Sequence, residues 1–278
     1  MRTVTKISQL TVAAALGLSL AACGSSSSSS GSTSAGGAGS SASTASGASS
    51  APSASPSSSS SSSSTAPGSD QAGAPDAKSL VHQARSAYRA AKSAHLHARI
   101  KQDTKVETID IKGTVDGSNQ DATISETGQG TAAFRTVSNK TYIKADQTFW
   151  TTAGKLTKPV AAKVADKWVV APPSTKSQLS SITIKYFLDS VLGESNLSDS
   201  ELGKSKTKKS SYNGKDVYVI TDESPNGGSL TLAGDTKDFL RLLPPANQSD
   251  EGAVTADGWN QQPSVTAPAG AIDPQSLK

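Results

Sequence analysis

From residue 76 onward the apolar side chains recur first with the period of a helix and then with that of a strand. Leu80, Val81, Ala84, Ala87, Tyr88 and Ala91 share one stripe, with Lys78, Arg85, Arg89 and Lys92 off it. That spacing predicts an amphipathic helix, capped by Asp76 behind Pro75. The period then drops to two. Leu96, Ala98 and Ile100 alternate with His95, His97, Arg99 and Lys101, and Ile109, Ile111 and Val115 alternate with Asp110, Lys112 and Thr114. Asp116-Gly117 ends the second run with a turn signal. Shorter alternating runs at 122–125, 131–137 and 141–144 continue the series, so an antiparallel meander is expected rather than βαβ units.

Helical spacing returns with Leu156, Val160 and Val164, followed by the strand-like Trp168-Val169-Val170 and the stop Pro172-Pro173. A further helix is expected from Leu179, Ile182, Tyr186, Leu188 and Val191, ending near Gly193. Strands resume at 212–221, turning at Asn213-Gly214, and again at 229–233, 239–243 and 253–259. The tail VTAPAGAIDP reads as extended and proline-punctuated.

Composition divides the chain differently. Of its 278 residues, none between Lys6 and Asp70 is charged, and every aromatic lies after residue 77. Only the later segment has the large apolar side chains that offset the entropy of folding, so one folded domain is expected over 77–278. Net charge is +4, from 27 Lys and Arg against 23 Asp and Glu. That balance is too even to point to nucleic acid. With one cysteine there is no intramolecular disulfide and no thiolate zinc site.

That cysteine is Cys23, between an apolar run and a serine tract. Arg2 and Lys6 precede an apolar stretch, 10–22, that is too short to span a bilayer. It ends in Leu20-Ala21-Ala22-Cys23 with Gly24-Ser25 behind it, which resembles the lipobox of bacterial lipoprotein precursors. The resemblance implies a signal peptide over 1–22 and a diacylglycerol-bearing, N-acylated (palmitate-type) Cys23 held on the extracytoplasmic face of the cell membrane. More than one acyl chain makes such anchoring effectively permanent. Residues 23–76 contain Ser, Ala, Gly, Thr and Pro with almost nothing apolar beyond alanine. Such a linker is expected to be disordered, with an r.m.s. span of about 40 Å for about 50 residues. It reads either as a tether of functional length or as a plain stalk.

The order helix, strands, helices, strands resembles the LppX/LprG group of actinobacterial lipoproteins, within the LolA-like superfamily. The residues that carry the resemblance are TYIKADQTFW (141–150), ADKWVVAP (165–172) and DGWNQQPSVTAPAGA (257–271), together with the lipobox and polar linker. It implies an α+β fold in which a curved antiparallel sheet, a half-barrel, wraps around helices and encloses an apolar cavity for acyl chains. It also implies carriage of lipid or glycolipid across the envelope, with an envelope transport protein as partner. In that arrangement Leu96, Ile100, Ile109 and Ile111 form one cavity wall, and Val160, Val164, Phe187 and Val191 form a movable lid. The alternative is a non-enzymatic interaction module with a solid core.

No catalytic motif stands out. The folded part has no G-x-S-x-G elbow, and Ser205-x-x-Lys208 lacks a K-T-G companion. Asp116-Gly117-Ser118 begins like a calcium loop, but position 12 is Thr127 rather than Glu. His95 and His97 share a strand face and read as solvent-facing, with no third metal ligand near in sequence. No catalytic residue, metal or cofactor is therefore expected. Lys204, Lys206 and Lys208 have period two. They read either as protection of an edge strand or as a surface for anionic headgroups. Trp150, Trp168 and Trp259 read as core or as the mouth of a cavity.

Overall fold

The alternating runs pair into one curved, antiparallel sheet of eleven strands in the order β6-β5-β4-β3-β2-β1-β11-β10-β9-β8-β7. A computed structural model describes residues 73–102, 104–175, 179–224, 227–244 and 252–277. The predicted signal peptide, Cys23 and all of the linker before Gly73 lie outside them.

The first meander comprises β1 (Ser93–Gln102), β2 (Lys105–Thr114), β3 (Gln120–Glu126), β4 (Gly130–Val137), β5 (Lys140–Ala145) and the short β6 (Val169–Val170). The second comprises β7 (Lys206–Tyr212), β8 (Lys215–Thr221), β9 (Ser229–Ala233), β10 (Phe239–Leu243) and β11 (Val254–Asp257). They meet only where β1 pairs with β11, Leu96 opposite Ala256 and His97 opposite Thr255.

Period-two alternation gives each face its chemistry. One lateral row, Ala256–Leu96–Ile111–Ala122–Phe134–Ile143–Val169, is buried throughout. The neighbouring row, Asp257–His95–Lys112–Asp121–Arg135–Tyr142, faces the other way and alternates in charge for most of its length. Arg135 Nη2 donates to Asp121 Oδ2 at 2.6 Å.

Among the described residues, five α-helices cover the apolar face: α1 (Ala77–Ala90), α2 (Gln147–Thr152), α3 (Lys158–Val164), α4 (Ile184–Leu192) and α5 (Asp199–Leu202). The α1 stripe buries Leu80, Val81, Ala84 and Tyr88, and Asp76 caps it by accepting from Ser79 N at 2.9 Å. α2 packs on β4, α3 on α2, and α4 on α1, β1 and β2.

The structure adds detail where the sequence reading was coarse. The Phe149-Trp150 pair, expected after a strand, lies in α2. Asp146 caps that helix, accepting from Phe149 N at 2.7 Å and, through its other oxygen, from Thr131 N at 2.8 Å. Asp146→Ala is expected to cost about 1–2 kcal/mol in urea denaturation; an unchanged midpoint would show that the helix needs no cap. Leu179 and Ile182 precede α4 rather than lie in it, because Thr183 is its N-cap. β7 begins at Lys206, earlier than the expected 212, and turns into β8 at Asn213 (φ 51°) and Gly214 (φ 74°). That pair of left-handed residues is what a tight hairpin needs. Gly117 holds φ +77°, and a Cβ there would lie 2.5 Å from Thr183 Cγ2, so this close approach of the β2–β3 turn to α4 requires glycine.

The C-terminal segment straps the outer face. Asn260 N donates to Ser93 O at 2.7 Å, and Val265 N donates to Asn119 Oδ1 at 2.7 Å. Arg135 Nη1 donates to Thr266 O at 3.3 Å, and Val170 N donates to Ile272 O at 2.9 Å. Ile272 thus joins β6 as a parallel bridge and occupies that edge of the sheet. Tyr142, which points to the outer face, is only 9% exposed.

Candidate functional site

The residues expected to line a cavity are brought to the interior. Leu96, Ile100, Ile109, Ile111, Val164, Phe187 and Val191 are 0–3% exposed, and Val160 is half-buried. A side chain with no accessible surface borders no space as wide as a water molecule. In this structure these buried residues pack in one cluster with Phe134, Phe239, Tyr88 and the branched aliphatics around them. Close packing of this kind is the usual state of a protein interior.

The expected lid is also two covers rather than one, since α3 lies with α2 over β4 and α4 lies over β1 and β2. Polar contacts bolt α4 at both ends. At its start, Gln120 Nε2 donates to Ile182 O at 2.5 Å and Lys185 N donates to Val115 O at 2.9 Å. Beyond its end, Arg85 reaches from α1 to donate through Nε to Leu192 O and through Nη2 to Leu197 O, each at 2.6 Å. Leu192 O is one of the carbonyls a helix C-terminus leaves without an intrahelical donor, and a cation also suits that end of the helix dipole. In mid-helix, Tyr88 donates to Asp189 Oδ1 at 2.6 Å, and Lys185 pairs with the same carboxylate. Burial, then the Asp189 acceptor, pushes the Tyr88 hydroxyl up to about 12. Burial would raise Asp189, but hydrogen bonds from Lys185 and Tyr88 hold it below the usual carboxylate range.

Glu107 is the acidic exception inside the sheet. It follows the inward alternation of Ile109 and Ile111, is 8% exposed, and its Oε1 has no hydrogen-bond partner among the described residues. Burial, and then the charge of Glu126 across the β2–β3 ladder, raise its carboxyl to about 7.

On the outer face, His95 and His97 flank one carboxylate: Asp110 Oδ2 lies 2.9 Å from His95 Nε2 and 3.5 Å from His97 Nδ1. Asp257 Oδ1 is 3.2 Å from His95 Nδ1. Burial lowers the His95 pKa, but the hydrogen bond and charge of Asp110, then Asp257, outweigh it and leave it raised. Among the described residues, no group of three His, Cys, Asp or Glu is arranged to hold a metal ion. Asp116 sits in a turn, accepting from Ser118 N and Oγ. A shallow surface hollow of about 510 Å³ lies between α1 and the β9–β10 turn, bordered by His82, Gln83, Ser86 and Lys237; His82, on its rim, pairs with the exposed Asp199 at 3.1 Å. The tryptophans divide between roles. Trp150 and Trp259 are buried, the latter donating to Phe239 O at 2.9 Å, while half-buried Trp168 lies under Arg135, 5.0 Å from its ring centre.

Of the expected surface lysines, Lys206 and Lys208 lie on one face of β7, and Lys204 stands just before it; all three are exposed. β7 is the terminal strand of the sheet. Lys206 pairs with Glu223 at 3.1 Å across the β7–β8 hairpin. No helix among the described residues is long and apolar enough to cross a membrane.

No family model matches the chain, and no curated protein matches it. Among solved structures it is similar to MucB, at 16% identity and a TM-score of 0.30, over 74% of this chain and 63% of that one. It is similar to the Pseudomonas aeruginosa MucA/MucB complex structure at 16% identity and 0.29, over 73% and 60%, and to MucB in complex with MucA(peri) at 13% and 0.27, over 73% and 59%. The chain thus spans about three fifths of the length of these neighbours. Likeness of this degree assigns neither function nor partner to the chain.

Proposed function

We propose that this chain is a non-enzymatic binding module of the cell envelope, exported by residues 1–22, moored by lipid on Cys23 and joined to that anchor by the linker. The carrying observation is the close-packed interior beneath a bolted α4, which favours the surface as the binding part. The lipobox-like Leu20-Ala21-Ala22-Cys23 supports the mooring.

A second reading keeps the acyl-chain carrier, for lipid or glycolipid passed to an envelope transport protein. The inner face of the sheet favours it: Ala94, Ala98, Ala122, Ala132 and Ala145 are all buried there, so much of the interior depth is filled by side chains from elsewhere. If the helical cover lifted, that floor would accept methylenes, at about 0.8 kcal/mol each.

Native mass spectrometry of the full chain extracted from its host's membranes tests both readings. The expected result is a covalent diacylglyceryl and acyl mass on Cys23 with no further lipid retained. A non-covalent lipid mass transfers the assignment to the carrier. An unmodified Cys23 ends the mooring.

A further inference from the structure

We infer that the β7 edge is a docking surface for anionic lipid headgroups, orienting the domain on the membrane to which it is moored; this rests on the mooring proposed above. Between Lys204 and Lys215 the chain places five lysines and no acid. Lys204, Lys206, Lys208 and Lys209 are all exposed, and β7 has a neighbouring strand on one side only. Protection against edge-to-edge pairing accounts for a lysine or two. It does not account for where the polypeptide enters the domain. Thr207 Oγ1 donates to Pro75 O at 2.8 Å, and a Cβ on Gly73 would lie 3.6 Å from Lys209 Nζ. The incoming chain therefore runs against the lysine strand.

Upstream of Gly73, the only charged residue back to Lys6 is Asp70, and Cys23 stands 50 positions before Gly73. A tether of that length holds the domain near the bilayer at an effective concentration of about millimolar. Each lysine close to an anionic surface then adds about fivefold to the docked population. Docking through β7 leaves the β6 edge and its C-terminal strap, at the far end of the strand order, for other contacts.

The test uses the full lipidated chain in vesicles, so that Cys23 is blocked and one introduced cysteine carries a fluorophore. The label is placed on β7 (Ser210→Cys) or on α3 (Lys163→Cys), and energy transfer to a headgroup-labelled lipid is measured. With phosphatidylglycerol added to phosphatidylcholine, transfer from position 210 is expected to exceed transfer from 163. The difference is expected to vanish in ~1 M salt, where screening acts within about 3 Å, and in the variant K206E/K208E/K209E. Equal transfer from both sites, or a difference that survives charge reversal or persists on pure phosphatidylcholine, overturns the inference. Vesicle flotation separates the two claims: protein that floats without orientation sinks this docking surface alone, and protein that does not float sinks the mooring beneath it. These lysines are exposed, so an unchanged thermal midpoint confirms that the charge-reversed domain is folded.

Discussion

Arg85→Ala is expected to lower unfolding stability by about 3–5 kcal/mol in urea, the largest single loss expected from this chain. The side chain is 2% exposed, and it donates to two buried carbonyls at 2.6 Å each. Removing it takes a donor from each buried carbonyl, at about 1–3 kcal/mol apiece, and adds a cavity. The ion pair with Glu194 contributes little, because at 3.9 Å it joins the buried guanidinium to a carboxylate that is 79% exposed. Two companions sort these causes. Arg85→Met refills the space but not the hydrogen bonds, and should recover the smaller part of the loss. Glu194→Ala should move the midpoint by less than about 1 kcal/mol. If Arg85→Ala unfolds at the parental midpoint, the Arg85 hydrogen bonds do not hold α4.

The second large effect is one of pH. Glu107 keeps its proton to about 7 in the fold, whereas an unfolded chain releases it near the ordinary carboxylate value of 4.5. Between those values the unfolded state binds fewer protons, so stability falls as pH rises, by about 3 kcal/mol in all. His95 adds in the same sense. Its raised pKa contributes stability that is complete below the ordinary imidazole value and is lost as pH climbs through the folded one. Asp116 and Asp189, held low by their donors, act oppositely but only in acid, below about pH 4. Stability is therefore expected to peak near pH 4.5–5 and to decline toward pH 8. Glu107→Gln should remove most of that decline and leave the variant more stable than the parent at pH 8. A parental profile that is flat from pH 5 to 8 would show that Glu107 is solvated.

Much of this architecture is legible in the chain because a face buried on one side writes its period into the residues. α1 and β1 through β5 follow the alternation closely, and Asn213-Gly214 marks its hairpin. Where both faces are wet, the signal weakens: β7 is KTKKSSY, exposed on most of its residues, and only the period-two lysines mark it as an edge strand. Short helices escape for another reason. α5 has four residues, too few for a 3.6 period, although Ser198 and Glu201 form the capping box that announces it. Asp146 three positions before Phe149 gave the same kind of notice for α2.

The site was less readable. Glu107 could have been placed inward from its phase with Ile109 and Ile111. Arg85 could not, since its carbonyl partners are 107 and 112 residues away and nothing local distinguishes it from Arg89. The filling of the interior was equally hidden, because alternation says which side chains point inward but not whether they meet.

The junction between the two meanders has a consequence for how the molecule is made. β1 finds its second neighbour only in β11, some 160 residues later, so during synthesis one flank of the first half stays unzipped until almost the whole polypeptide has emerged. Closure across so long a loop is slow, and an open strand flank invites wrong partners while it waits. The export proposed above, as an extended chain through a pore, would postpone that closure until the whole sheet is on the far side.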